Sequence, residues 1–458
     1  MKSIYKILVA LAVAYTFQGC SKEDKLNYKI ENPDEFTPGE LDKWISTNLT
    51  DPYNIEVIYR YQRNMHDVNK NISPPDEAKV QPQMQVVIDG FLDVYKNVGG
   101  ATFMKTYTPK QFALFGSGNY ETDGSVVAGT ADGGRRVTLY GLNNLNVNSV
   151  SSVMGNLGTI HHEFVHILNQ TRMIPEDFLL ITIGDYYANW TNTTQNSVKI
   201  SRELGFISPY ARKNVGEDFA EVMSTLITDG QAYYDSYAAN SGELGNSRLK
   251  AKEAVVRDYV QRNFGMELVD VQREFQKTME EKYGSRDFLF STAVSKGFIK
   301  SINLDVRQPW ALSRGVSEKQ SNISEAVLNG VGNYVVRGLN LRFIDAGKAT
   351  LDVLFASDAS TTNIWTASYD FTITANNDVI SFALATTQGT GTPYDYAKFG
   401  YIVSDVNPII DYFKSTSFKY DYMAGDADPN ILENYKKYGG LIDVKNSANT
   451  IYGQLNFK

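Results

Sequence analysis

Residues 149–170 read SVSSVMGNLGTIHHEFVHILNQ, and within them His162-Glu163-Phe164-Val165-His166 forms an H-E-x-x-H pattern. Apolar Val153, Met154, Leu157, Ile160, Phe164, Val165 and Leu168 recur at three- and four-residue spacing, which predicts a helix buried on most sides. On such a helix, residues four apart share a face one turn apart. His162 and His166 then offer two imidazoles to a single Zn²⁺, and Glu163 stands beside them to take a proton from a water. A chance meeting is the competing explanation. The chain has four histidines, His66, His161, His162 and His166, and three of them fall between 161 and 166 of an otherwise apolar segment. Burying ionisable groups there is costly unless they are paired or bound to metal, which favours the metal site. His161 lies about 100° round the helix from His162 and is expected to be structural or to support a ligand. His66, between Asn64 and Asp67, is expected to be a surface or locally satisfied residue.

At 458 residues the chain has room for two to three domains, and 42% hydrophobic against 21% charged residues suits a globular protein with large cores. A net charge of −8 without any basic cluster argues against nucleic acid as a partner. The first twenty residues read as a targeting signal, with Lys2 and Lys6 followed by apolar Ile7 to Ala14. Phe17-Gln18-Gly19-Cys20 then resembles the bacterial lipobox, with Phe17 where leucine is usual. Cys20 is the only cysteine, so there is no disulfide framework, and a lipidated anchor explains it better than a core thiol. Residues 21–45 are polar and contain Asn32-Pro33-Asp34 and Thr37-Pro38-Gly39, the composition of a linker. No later stretch is long and apolar enough to span a bilayer.

Helical periodicity is read over 52–70 and 82–98, and strands over 110–117 and 135–142, with Gly133-Gly134 as a turn. Strands just before the H-E-x-x-H helix suggest a small sheet above the metal, whose edge could hold an extended substrate by main-chain hydrogen bonds. Residues 171–215 read as loops and short helices around a cleft, 216–229 as a second helix, and 247–284 as two more, broken at Asn263-Phe264-Gly265. Composition shifts near Arg307-Gln308-Pro309-Trp310. Strands are then expected at 334–343, 349–357, 365–374, 378–385, 399–405, 417–423 and 450–458, with one short helix near 406–415. That spacing predicts an antiparallel β-sandwich or barrel over 308–458.

Two histidines leave a catalytic zinc one protein ligand short. A third histidine six residues after the second, as in metzincins, is ruled out by Arg172, with Asn169 where that pattern needs glycine; no histidine follows downstream. The second helix offers Glu217, Asp218 and Glu221. Glu217 and Glu221 share a face, so one can bind the metal while the other hydrogen-bonds a ligand imidazole. The pattern H-E-F-x-H, followed by Tyr210 and then by Glu217-Asp218-Phe219-Ala220-Glu221, is similar to the catalytic domain of anthrax toxin lethal factor, a gluzincin. That resemblance implies Glu217 as third ligand, Glu221 as support for an imidazole, and Tyr210 as the hydroxyl that stabilises an oxyanion or assists the leaving group.

Taken whole, the chain resembles the zinc-metallopeptidase lipoproteins of Bacteroidetes found with outer-membrane TonB/SusCD-type import systems. The resemblance implies an α+β zincin-like metallopeptidase domain over 46–307; the all-β domain read from the strand pattern over 308–458 goes beyond the core of that family, and its role stays open. The resemblance also implies one Zn²⁺ per chain, a peptide or glycopeptide substrate, a lipid anchor in the outer membrane on its periplasmic or surface face, and an import complex as partner. A different class of function, a surface lipoprotein that grips glycan or peptide for import without turnover, is the alternative. Intact Glu163 and Tyr210 argue for hydrolysis, since binding alone needs neither.

Overall fold

The computed structural model describes residues 37–376, 378–423 and 435–458. Cys20, the signal and most of the linker lie outside the described residues. The chain divides into two compact units, Met1–Trp44 and Ile45–Lys458. Of the first, the described residues 37–44 open a short helix, Glu40–Ile45. All that follows lies in the second.

Its first strand is β1 (Glu56–Ile58), followed by helices α1 (Glu77–Val87) and α2 (Asp93–Tyr107), joined through the wider-wound turn Ile88–Leu92. Then come β2 (Gln111–Leu114), β3 (Gly129–Asp132) and β4 (Arg136–Leu139). They form a sheet in the order β1-β2-β4-β3, parallel except for the β3–β4 pair. The helical pattern expected over 52–70 is not realised. Asn54 adopts a left-handed conformation (φ 55°), which stops the short helix before it, and the β-branched Ile55, Val57 and Ile58 continue as a strand paired with β2.

Helix α3 (Val150–Thr171) carries the H-E-x-x-H pattern. Ser149 caps it by accepting a hydrogen bond from the Ser152 amide, and its apolar stripe packs Phe164 edge-on against Phe91 and Tyr95 at 4.8 and 4.9 Å. Strand β3 runs close to it. A Cβ at Gly129 would lie 2.7 Å from the Thr159 side chain, so this approach needs glycine. Helix α4 (Val215–Thr228) packs on α3, and its start is set by Asn214, whose side chain accepts from the amides of Gly216 and Glu217 at 2.9 and 3.1 Å. Helices α5 (Gln231–Ala239), α6 (Gly242–Phe264) and α7 (Leu268–Tyr283) follow, with the expected break falling at Gly265 (φ 66°).

The C-terminal part, from Ile299 on, is a closed, fully antiparallel barrel of eight strands among the described residues. In chain order they are β5 (Ile299–Asn303), β6 (Val335–Asp345), β7 (Lys348–Ala356), β8 (Trp365–Asn376), β9 (Val379–Leu384), β10 (Ser417–Tyr422), β11 (Tyr438–Asp443) and β12 (Ile451–Phe457). The choice between sandwich and barrel is thus settled for the barrel, and its first strand comes ahead of residue 308. Strand β5 closes it by pairing with both β12 and β6. The segment 399–405, read as a strand, is the first part of a helix, Gly400–Ser415. Ile402, Val406, Ile409 and Phe413 make one continuous stripe at helical spacing, buried in the same core as the strands. Two further helices, Pro309–Arg314 and Glu318–Leu328, lie between β5 and β6. No helix of the described residues is long and apolar enough to cross a membrane.

Barrel closure depends on Gly453, where a Cβ would collide with the Asn303 carbonyl of the neighbouring β5 backbone. Gly453→Ala is expected to destabilise the protein by ~1–3 kcal/mol, the cost of forcing a methyl into a packed contact. A urea midpoint equal to that of the parent would contradict this reading of the closure.

Candidate metal centre

His162 and His166 project from one face of α3 toward the first turn of α4, where Asn214 holds the Glu217 amide. The two Nε2 atoms lie 3.1 Å apart, and Glu217 Oε2 lies 3.2 and 3.1 Å from them. Three donor atoms at equal spacing form a triangle. Zinc bonds of about 2.0–2.1 Å in a tetrahedron place neighbouring ligands about 3.3 Å apart, so this triangle is close to one face of a zinc site. Among the described residues, these three are the group that could hold a metal ion.

The contacts behind the donors fix their orientation. Nδ1–H of His162 donates to Glu221 Oε1 at 3.0 Å, which turns Nε2 toward the triangle. Glu221 is in turn held by the Ser208 hydroxyl at 2.6 Å. Lys213 Nζ donates to the other oxygen of Glu217 at 3.0 Å, so Oε2 is left for the metal. The same ammonium lies 3.4 Å from the Tyr210 hydroxyl and over its ring. The Tyr210 ring faces His162 at 5.9 Å and meets Trp190 edge-on at 4.9 Å. Glu163 is buried on the same helix, outside the triangle, with the Ala131 amide of β3 facing its carboxylate.

Asp218, adjacent in sequence to Glu217, points the opposite way. It is fully buried, accepts from Lys252 at 2.6 Å and from Tyr186 at 2.9 Å, and burial pushes it up to about 6 against the pull of Lys252. Lys252 also donates to the Gly205 carbonyl at 2.8 Å, which pins α4 and the loop leading to Ser208 and Tyr210 onto α6. His161 is a core residue. Its Nε2–H donates to the Gly90 carbonyl at 3.0 Å, Nδ1 accepts from Tyr95 at 3.2 Å, and burial pushes it down to about 4. His66 is satisfied locally by Tyr61 and the Asp67 carbonyl, at 3.0 and 2.7 Å. Lys213, Ser208 and Asn214 are not singled out by the sequence, whereas Trp190 falls, with Tyr186 and Tyr187, in the segment expected around the cleft. Of the first three, only Asn214 carried a signal, as a cap residue just before a helix, three ahead of a glutamate.

Residues 34–269, more than half of the chain, match the family model described as "Putative zinc-binding metallo-peptidase". The chain belongs to this zinc-binding metallo-peptidase family. A search of curated proteins found no match. Among solved structures, the chain is similar to a metallo-peptidase of the same description from Bacteroides caccae, at 28% identity and a TM-score of 0.45, over 55% of this chain and 98% of that one.

In this metallo-peptidase the donors fit zinc by type as well as by spacing, with two imidazoles and one carboxylate. Burial alone would lower the His162 pKa, but hydrogen bonds to Glu217 and Glu221 outweigh it and raise it to about 10. Glu217 is held far below the carboxylate range: its burial is overcome by hydrogen bonds from His162, His166 and Lys213. In the metal-free protein, the contribution of His162 to stability is therefore full below its ordinary 6.5 and is lost as pH rises through about 10. Zinc requires the neutral imidazole. At pH 8, zinc binding is expected to release about one proton from His162, read as a dependence of the calorimetric enthalpy on the ionisation heat of the buffer. Glu217→Ala is expected to lose most of the affinity. Zinc binding with no proton release would place His162 outside the ligand set.

Proposed function

We propose that this metallo-peptidase hydrolyses peptide or glycopeptide bonds, with Glu163 as general base and Tyr210 as hydrogen-bond donor to the developing oxyanion. The observation that carries the reading is the triangle of His162, His166 and Glu217 with an unligated carboxylate, Glu163, on the same helix. Zinc bound there would polarise the scissile carbonyl and acidify a water. Burial raises the Glu163 pKa, while the charges of His162 and His166 oppose the rise. A base tuned upward in this way accepts the proton of the attacking water and returns it to the leaving amine. The Tyr210 hydroxyl is kept protonated by burial and by Glu217, to which it hydrogen-bonds in the metal-free protein, and would turn to the oxyanion once metal and substrate are bound.

The edge of β3 supports an extended substrate. Ala128 O pairs with the Tyr140 amide on β4, and the alternation of antiparallel bonds then turns the main-chain groups of Gly129 and Ala131 to the free edge. That edge faces Glu163, where a peptide strand could add with its scissile bond over the metal.

The expected experiment pairs cleavage of a peptide library with zinc content. Glu163→Gln should keep zinc and lose turnover, and Tyr210→Phe should keep zinc and lose ~10²–10³-fold in rate, the effect of removing one oxyanion donor. Turnover at the parental rate in Glu163→Gln would sink the mechanism, and a parent that binds peptides without cutting them would favour the import-binding alternative.

The lipobox-like residues Phe17 to Cys20 support an anchored protein in the cell envelope, and the resemblance to import-associated lipoproteins supports a place on the outer membrane beside an import complex. Cys20→Ser is expected to move the protein from the membrane to the soluble fraction; continued fractionation with membranes would mean attachment through a partner.

A further inference from the structure

The stripe of α3 that carries His162 continues toward its N-terminus at Gly158, Gly155 and Ser151, in steps of four and three. On α4 the stripe of Glu217 and Glu221 continues at Thr225 and Thr228. Both runs line one groove of about 490 Å³, which begins at Glu221, the carboxylate that bonds His162. Its far wall comes from Tyr233 on α5 and from Lys296 and Phe298, just ahead of β5. The groove is open because side chains are missing from α3. A Cβ at Gly155 would meet nothing within 4 Å, and one at Gly158 only the Thr228 hydroxyl at 3.8 Å.

Its charges are unevenly spent. Glu221 is taken up by His162 and Ser208, at 3.0 and 2.6 Å, and Asp287 by Lys296 at 2.7 Å. The carboxylate of Asp229, the residue after α4, lines the same groove and makes no hydrogen bond or direct ion pair among the described residues; Lys296, already paired with Asp287, acts on it only through space. Apolar surface from Met154, Tyr233 and Phe298 lies beside the carboxylate. An aliphatic stem packs on such a surface, a cation is attracted both by the rings and by a carboxylate without a direct ion pair, and an acidic side chain would be repelled by it.

The geometry points to this groove as a subsite for a lysine or arginine side chain of the substrate, next to the scissile bond, with Asp229 as the specificity-determining residue. The inference rests on the peptidase reading above. It also gives the segment leading into the barrel a part in the cleft.

The test is a peptide library cut by the zinc-loaded protein, followed by matched peptides with lysine or norleucine at the favoured position. The parent is expected to prefer lysine by ~10–100-fold in kcat/KM, the size of one charge-assisted hydrogen bond. Asp229→Asn should bring that ratio close to one with zinc content unchanged. Gly155→Leu, compatible with the helix and filling the groove, should lower kcat/KM for both peptides. No basic preference in the parent, or a preference that survives Asp229→Asn, would overturn the subsite. If the library is not cut at all, the peptidase reading fails separately. Retention of the two peptides on immobilised zinc-loaded protein then decides the subsite: lysine-selective retention lost in Asp229→Asn sustains it, and equal retention overturns it.

Discussion

Three donor atoms from two helices stand 3.1–3.2 Å apart in a mostly buried place, and the surrounding packing serves to hold them there. Two imidazoles and a carboxylate this close are costly to bury unless charge and hydrogen bonding compensate. Two of the three donors therefore have a fixed partner behind them: Glu221 behind His162, and Lys213 behind Glu217. Those partners are placed by ordinary folding forces. The apolar stripe of α3 sets the rotation of the histidines, the Asn214 cap sets where α4 begins, and the buried Lys252–Asp218 pair fixes how α4 turns. Because Asp218 faces Lys252, its neighbour Glu217 must face the histidines, so one ion pair decides which of two adjacent carboxylates reaches the metal position.

The centre was readable where its chemistry coincides with local periodicity. His162, Glu163 and His166 lie within one and a half turns, and Glu217 and Glu221 repeat at one turn, so spacing alone proposes shared faces. Ser208 and Lys213 enter from a segment whose path depends on Lys252 holding the Gly205 carbonyl, and no local pattern encodes that. The same division holds for the fold. The long strands of the barrel alternate clearly enough to be read, yet closure rests on β5 and on the glycine-containing β11, Tyr438–Asp443, neither of which looks like a strand by composition. Residues 399–405 misled because a short apolar run fits strand and helix alike, and only its continuation through Phe413 distinguishes them.

The helical region and the barrel meet through polar contacts as well as packing. Lys437, just before β11, pairs with buried Asp235 on α5; Ser236 donates to the Lys458 carbonyl at 2.6 Å; and Tyr435 donates to Gln276 on α7 at 2.8 Å. Directional bonds of this kind set one docking geometry where a purely apolar seam would tolerate sliding. Phe298, in the wall of the groove that begins at Glu221, is held by the same joint, since its carbonyl accepts from the Lys458 amide at 2.8 Å.

The closing strand of the barrel has a consequence for how the protein is made. Strand β5 leaves the ribosome directly after the helices of the peptidase region, yet one of its two neighbours, β12, follows all the other strands of the barrel. Until β12 has been made, β5 exposes an unsatisfied edge, and its apolar Ile299 and Ile302 lack their final cover. Pairing between segments so distant in sequence is slow, and half-made sheets with open edges are prone to associate with one another. The peptidase half can fold early from local helical contacts, whereas the barrel must wait for its last strand, so the interval between the two is when the nascent chain most needs protection.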